Sequence, residues 1–232
     1  VVSELAEKPV AGSYPTAWWR AGELVRDPHA LPVAAGVPPG RYRLAASLLR
    51  AAGGSAVEPE DGPSRLELAV VEVRGRDHAY RPPAFEHRQA AAFGPDIALA
   101  GYDLSPRPAA PGTTLAVTLV WHAVETPAAN YDVFVHLLDE ASHVVGQRDS
   151  EPGGGVLLTT LWEPGQVVRD NYGLPVHPAT PPGSYRVEVG LYDAETGRRL
   201  TTPGGEGQVW LEPLVVERPP APAPVAALGM EQ

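Results

Sequence analysis

The chain has 232 residues and a formal net charge of −10, from 28 acidic and 18 basic side chains. This acidity argues against nucleic-acid binding, which needs cations to neutralise phosphates, and against charge-driven docking on an anionic membrane. Cysteine is absent, which excludes disulfides and cysteine-based zinc sites, and no apolar run is long enough to span a membrane. The 24 glycines and 27 prolines favour a β protein with many turns.

The first part of the chain contains motifs that return later in the same order. The distance from Trp19 to Trp162 is 143 residues, and the other matched motifs share this offset. They are Pro9 with Pro152, residues 22–27 with 165–170, residues 31–33 with 174–176, and Pro-Pro-Gly-x-Tyr-Arg at 38–43 with 181–186. Residues 70–72 match 215–217 with two extra residues inserted. So many matches in one register indicate a duplication.

The second copy is the longer one. Val1 corresponds to Val144, so the first copy lacks the counterparts of about three strands that precede the repeated part. Either the chain is cut inside its first domain or a partner supplies the missing strands, and we favour the cut. Because the chain begins with Val1, we do not expect this residue to be the native start.

Residues 74–92 are predicted to connect the copies, with four arginines and a stiff Pro82-Pro83 pair. Strands are then expected at 97–104, 115–123, 131–137, 144–149, 167–174, 185–193 and 209–216, because apolar residues alternate with polar ones or bracket turn signals. Leu115, Val117, Leu119, Trp121 and Ala123 should share one buried face. Residues 139–142 form a plausible hairpin turn, and 157–162 fit a strand or a helical turn equally well.

About eight closely spaced strands without helical periodicity predict an all-β protein, a tandem of Ig-like or jelly-roll β-sandwiches with the N-terminal copy truncated. The predicted domains are a partial sandwich with its linker over 1–83 and a complete sandwich over 84–217. Residues 218–232, rich in proline and alanine, are predicted to form a disordered tail.

Four residues of the second copy are candidates for ligand binding. Trp162 and Trp210 would stack on sugar rings if exposed, although the match of Trp162 with Trp19 favours a structural role. His136 would work with Asp149 or Asp132, against the simpler interpretation of a hydrogen-bonded, partly buried histidine. We expect function where the copies differ, around His136, Asp149 and Trp210.

Metal and catalytic motifs are lacking. Carboxylates at strand ends would suit Ca²⁺, but they more often cap turns, and no clustered calcium loop supports the ion; these residues are Asp103, Asp149, Asp170 and Asp193. The glycines at 153–155 lack the Lys-Ser/Thr and helix of a phosphate loop, and no nucleophile elbow surrounds Ser150 or Ser184. We predict no cofactor, no metal and no catalytic residue.

A resemblance to a known type of module covers residues 84–217, and a truncated copy of the same module covers residues 1–73. Its motifs are Phe93-Gly94, Gly101-Tyr102-Asp103-Leu104, the segment 131–139, Trp162-Glu163-Pro164-Gly165-Gln166, and Gly190-Leu191-Tyr192-Asp193. In these motifs the chain resembles β-sandwich modules at the C-terminus of bacterial membrane glycosyltransferase-family proteins, especially those of Chloroflexi. The family's catalytic acidic residues lie in its membrane part, so none is carried over to this chain.

The resemblance implies a non-catalytic, extracytoplasmic accessory or interaction module at the cell envelope, whose parent protein is membrane-anchored. A glycan, a lipid-linked sugar or a neighbouring envelope protein is the expected partner, and nucleic acid is not. Two alternatives remain open: a carbohydrate-active enzyme fragment with its site at the sandwich loops, and a purely structural spacer.

Overall fold

The computed structural model describes residues 1–59 and 61–218. It is mostly β, with 40% of residues in strands and 6% in helices, which confirms the all-β prediction. The chain divides into two compact units, Val1–Asp77 and a second that begins at His78. The proline- and alanine-rich tail predicted for 218–232 lies, except for Arg218, outside the described residues.

The first unit contains a two-stranded antiparallel sheet. Its strands are β1, Gly40–Ala46, and β2, Leu66–Val73. Two short helical turns, Pro9–Gly12 and Thr16–Trp18, precede them. Most apolar side chains of β2 are exposed to solvent, so this unit buries little of its apolar surface.

The second unit, as far as residue 218, contains nine strands in two antiparallel sheets. One sheet has the order β3-β4-β5-β8, and the other has the order β10-β9-β6-β7, with β11 also paired to β9. The strands are β3 His87–Phe93, β4 Ile97–Ser105, β5 Thr114–Ala123, β6 Tyr131–Leu138, β7 Val144–Ser150, β8 Val167–Pro175, β9 Gly183–Asp193, β10 Val209–Trp210 and β11 Leu214–Val216.

The core of this unit is built from both sheets. The predicted face of β5 is fully buried, and it joins Val133, Val135 and Leu137 of β6 and Val187, Val189 and Leu191 of β9 in one apolar cluster. Period-two alternation places these residues inward and leaves the intervening positions on the outer faces. The arrangement is sandwich-like, with its polar positions on two outer surfaces.

Two local predictions need correction. The connection predicted over 74–92 includes strand β3, whose pairing with β4 is concealed by its alanines and polar residues. The strand predicted over 209–216 is interrupted at 211–213, where Pro213 offers no N–H for a ladder. Of the two alternatives left open for 157–162, a strand and a helical turn, the structure has the helical turn, at Thr159–Leu161.

Hydrogen bonds recur in the two units at positions 143 residues apart. The indole N–H of Trp19 donates to the Tyr14 carbonyl at 3.2 Å, and that of Trp162 donates to Leu157 at 2.9 Å. The carboxylate of Asp27 accepts the Val10 N–H, as Asp170 accepts that of Gly153. A tyrosine hydroxyl reaches the carbonyl four residues earlier in each unit, from Tyr42 to Pro38 and from Tyr185 to Pro181.

The strand register follows the same offset to the end of the repeat. Tyr42 pairs with Val71, and Tyr185 pairs with Leu214. Val71 is therefore the counterpart of Leu214, and the two-residue insertion expected from matching residues 70–72 with 215–217 is wrong. Two valines followed by glutamate occur in both segments, but the hydrogen-bonded register, and not this local likeness, determines which positions correspond.

Candidate functional site

A row of four side chains crosses the outer face of the sheet β7-β6-β9-β10. On adjacent strands, His136 lies opposite Glu188, and Glu188 lies opposite Trp210. Asp149 of β7 completes the row from the other side of His136. Three of the four predicted ligand-binding residues, His136, Asp149 and Trp210, thus lie on one face, with Glu188 between two of them.

His136 has a carboxylate at each ring nitrogen. Its Nδ1 lies 2.9 Å from Oε1 of Glu188, and its Nε2 lies 3.0 Å from Oδ1 of Asp149. The imidazole and Glu188 are largely buried, whereas Asp149 is about one-third exposed. Because both nitrogens are engaged, His136 offers no free lone pair to a metal or a substrate in this arrangement. Its geometry matches the hydrogen-bonded histidine considered from sequence.

Next to His136 and its two carboxylates, the Phe134 ring lies beneath the Arg199 guanidinium and closes the outer face. The Phe134 side chain is buried, although it points away from the core, because the Arg199 guanidinium lies 4.1 Å above its ring. Arg199 also approaches Glu188 at 3.8 Å. Gly190 leaves the space that the Phe134 ring occupies. The centre of the row is therefore a packed polar and aromatic cluster rather than an open cleft.

The Trp210 end of the row is accessible. Its indole is 40% exposed, and the Arg186 guanidinium lies 4.5 Å from the ring centre. Trp210 also lines an open groove of about 610 Å³ between β3 and the segment 202–210. The polar side chains of this groove are Gln89, Thr202, Glu206 and Gln208. An aromatic face beside amide, hydroxyl and carboxylate groups can both stack on and hydrogen-bond a hydroxylated ring.

Trp162 lies in the core, away from this row. Only 2% of its surface is exposed, and its indole N–H is bound to the Leu157 carbonyl. It therefore presents no face on which a sugar ring could stack. Its position and bond match those of Trp19, as the repeat indicated.

Glu188 of the row and the two arginines beside it, Arg186 and Arg199, were not singled out from sequence. Glu188 and Arg186 occupy the polar positions of the alternating segment 185–189, which places them on the outer face. The missing information was the strand register, which joins Glu188 to both His136 and Trp210. Arg199 lies outside any strand, so no periodicity could have placed it.

The first unit does not repeat this surface. At the positions 143 residues earlier, Glu67 stands for Trp210 and Ala45 for Glu188. Arg43 corresponds to Arg186, and it approaches the Glu67 carboxylate at 3.9 Å instead of an indole. The stacked tryptophan and the buried glutamate are features of the second unit alone.

The carboxylates considered for calcium are engaged in hydrogen bonds within the protein: Asp149 contacts His136, and the other three accept backbone N–H groups. Backbone N–H groups donate to Asp103 from Glu86, to Asp170 from Gly153, and to Asp193 from Glu195 and Thr196. The N–H of Thr196 lowers the pKa of Asp193, and burial raises that of Asp170. Among the described residues, no group of three or more His, Asp or Glu side chains is arranged to hold a metal ion.

Comparison with known proteins adds no family to these observations. No protein-family model matches the chain, and no curated protein matches it significantly. Within 1–59 and 61–218, no helix is both long and apolar enough to cross a membrane.

Proposed function

We propose that this chain is a non-catalytic accessory module of the bacterial cell envelope, which binds a neutral glycan through the exposed face of Trp210. Its parent is a membrane-associated, glycosyltransferase-like protein, and the module lies on the extracytoplasmic side. The resemblance of the 84–217 motifs to such modules supports this setting. The architecture we propose is a tandem of Ig-like or jelly-roll sandwiches with a truncated first copy, supported by the recurring hydrogen bonds and strand register.

The observation that carries the binding proposal is the half-exposed Trp210 beside the groove lined by Gln89, Glu206 and Gln208. A sugar ring has an apolar face, which stacks on an indole, and hydroxyl groups, which bond to amides and carboxylates. The Glu206 carboxylate in the groove favours a neutral sugar over an anionic one.

The non-catalytic role is supported by the state of the polar groups near the groove. Both nitrogens of His136 are bound to carboxylates, and Phe134 and Arg199 close the surface beside them. A general acid or base needs access to the proton that it transfers, and His136 lacks this access. Binding is therefore the role that the accessible residues serve best.

The proposal is tested by screening the full chain against a glycan array and measuring the best saccharide by calorimetry. Trp210→Ala should weaken binding at least about tenfold, because truncating a central tryptophan costs more than about 1.4 kcal/mol. Trp18→Ala is the matched control, since Trp18 is even more exposed but lies in the first unit.

Three results would contradict the proposal. Equal affinity of the Trp210→Ala variant and the unchanged chain would remove Trp210 from the site. Hydrolysis of a glycoside by the purified chain would favour the alternative of an enzyme fragment. The absence of any response to saccharides would favour the structural spacer.

A further inference from the structure

The first unit exposes apolar residues whose counterparts in the second unit are buried. Leu24 is 98% exposed where Val167 is 8% exposed, Leu66 is 58% where Val209 is 9%, and Val71 is 41% where Leu214 is fully buried. The same contrast holds for Leu31 with Leu174, Val33 with Val176, Leu48 with Leu191, and Leu68 with Leu211. An apolar surface of this extent on a folded unit marks a face that another element covers.

A segment of the first unit also lacks the strand that its sequence predicts. Residues 24–32 correspond to strand β8, and they share with it the sequences Val-Arg-Asp and Leu-Pro. Strand β8 forms its ladder with β5, whereas residues 24–32 are not in a strand, and the described residues of the first unit include no counterpart of β5. The backbone there has the sequence of a sheet strand without a neighbour to pair with.

The second unit shows what covers the equivalent face. Strand β6 pairs with β9, the counterpart of β1, and strand β5 pairs with β8, the counterpart of residues 24–32. Apolar side chains of β5 and β6 then fill the space between the two sheets; they include Leu119, Trp121, Val133 and Val135. These covering strands lead through β7 directly into the turn at Pro152, whose counterpart is the turn at Pro9.

We propose that the exposed face of the first unit is completed by a polypeptide segment of the same kind as residues 84–143. The segment supplies one strand beside β1 and another beside residues 24–32, and it buries the exposed apolar positions between them. This inference rests on the proposed duplication and is independent of glycan binding.

The test is a graft onto the full chain. Residues 78–143 are added directly before Val1, because Val1 holds the place of Val144. Hydrogen exchange is then measured for the amides of 24–32, β1 and β2. The graft should slow their exchange at least about tenfold, because new pairing and burial raise the free energy of local opening. In the control, the grafted copy alone carries Leu119→Asp and Val135→Asp, and it should give no protection.

Two outcomes would overturn the inference. One is that the graft and its control leave the exchange of these amides equally fast. The other is that the ungrafted chain forms a dimer in which the β1 and β2 amides are already protected, since a second copy would then cover the face. The duplication is tested separately by the Trp19 indole N–H in the ungrafted chain. We expect this N–H to exchange slowly, because it donates to the Tyr14 carbonyl as Trp162 donates to that of Leu157. Saccharide titration of the same chain tests the binding proposal, so the failures are distinguishable.

Discussion

Glycine at position 190 is required by the aromatic cluster on the outer face. A Cβ built there would overlap the Phe134 ring and lie 2.7 Å from the Gly207 carbonyl oxygen. Gly190→Ala should therefore lower the free energy of unfolding by about 1–3 kcal/mol, because the packed ring or the backbone must move. Chemical denaturation measures the change.

Gly183→Ala, on the same strand, is the control for Gly190→Ala. Its Cβ would meet only the Tyr185 ring, at an ordinary 3.7 Å. If both variants lost the same stability, the effect would come from replacing glycine in strand β9 and not from contact with Phe134.

The buried carboxyl of Asp170 should make stability depend on pH. Burial raises its pKa above the ordinary value of 3.8, while hydrogen bonds from Tyr172 and the Gly153 N–H act in the opposite direction. Between the unfolded and folded pKa values, the folded state holds the proton more tightly, so the contribution of Asp170 to stability falls as pH rises through this window.

Asp170→Asn removes this titration and keeps an oxygen to accept the Gly153 N–H. The difference in unfolding free energy between the unchanged chain and the variant should move in favour of the variant as pH rises above about 4. Using the difference cancels the opposite trend of the exposed carboxylates, such as Asp139, whose pKa is lowered by the His143 N–H. A difference that stays constant with pH would contradict the assignment.

Residues were predictable from sequence where one physical requirement decided their place. Trp121 and its neighbours on β5 alternate with polar residues, and all of them are buried as expected. His136, Asp149 and Trp210 were selected because the copies differ there, and they lie on one face. Glu188 was not predictable as their link, because its contacts depend on which residues of β6 and β10 it faces.

At the scale of elements, the turn before β9 is anchored by the Tyr185 hydroxyl, which donates to the Pro181 carbonyl at 2.6 Å. Tyr185→Phe should lower the unfolding free energy by about 1 kcal/mol, the usual net value of one such bond. Tyr42→Phe removes the matching bond to Pro38. Its effect should be smaller, because the Tyr42 ring is less buried. An equal loss in the two units would show that burial does not strengthen the bond.

Elements with strong alternation were recognised from sequence, and weakly patterned ones were not. Strands β5, β6 and β9 carry apolar residues that face the core at every second position, so period two reveals them. Strand β3 was not predicted from sequence, because its alanines carry little hydrophobic signal and its remaining positions are mostly polar. The repeat supplied the offset of 143, but only the ladder of β1 with β2 showed that the offset continues without an insertion.

For the whole molecule, composition and strand spacing were sufficient to predict an all-β chain without metal chemistry based on cysteine. The pairing of nine strands into two sheets was not predictable, because order within a sheet depends on contacts between distant residues. The consequence for function is that the row from Asp149 to Trp210 exists only after β7, β6, β9 and β10 have assembled. Its accessible end, Trp210 with the adjoining groove, is the part that we expect a ligand to reach.

The most direct test of this binding proposal is a saccharide titration followed through the indole N–H signals of the five tryptophans in a nitrogen-15 NMR spectrum. Trp121 and Trp162 are buried in the core, and Trp18 is exposed in the first unit. The account predicts a saturable shift of the Trp210 signal while the Trp18, Trp121 and Trp162 signals stay in place. A Trp210 signal that does not respond, or that moves no more than the signal of Trp18, would contradict it.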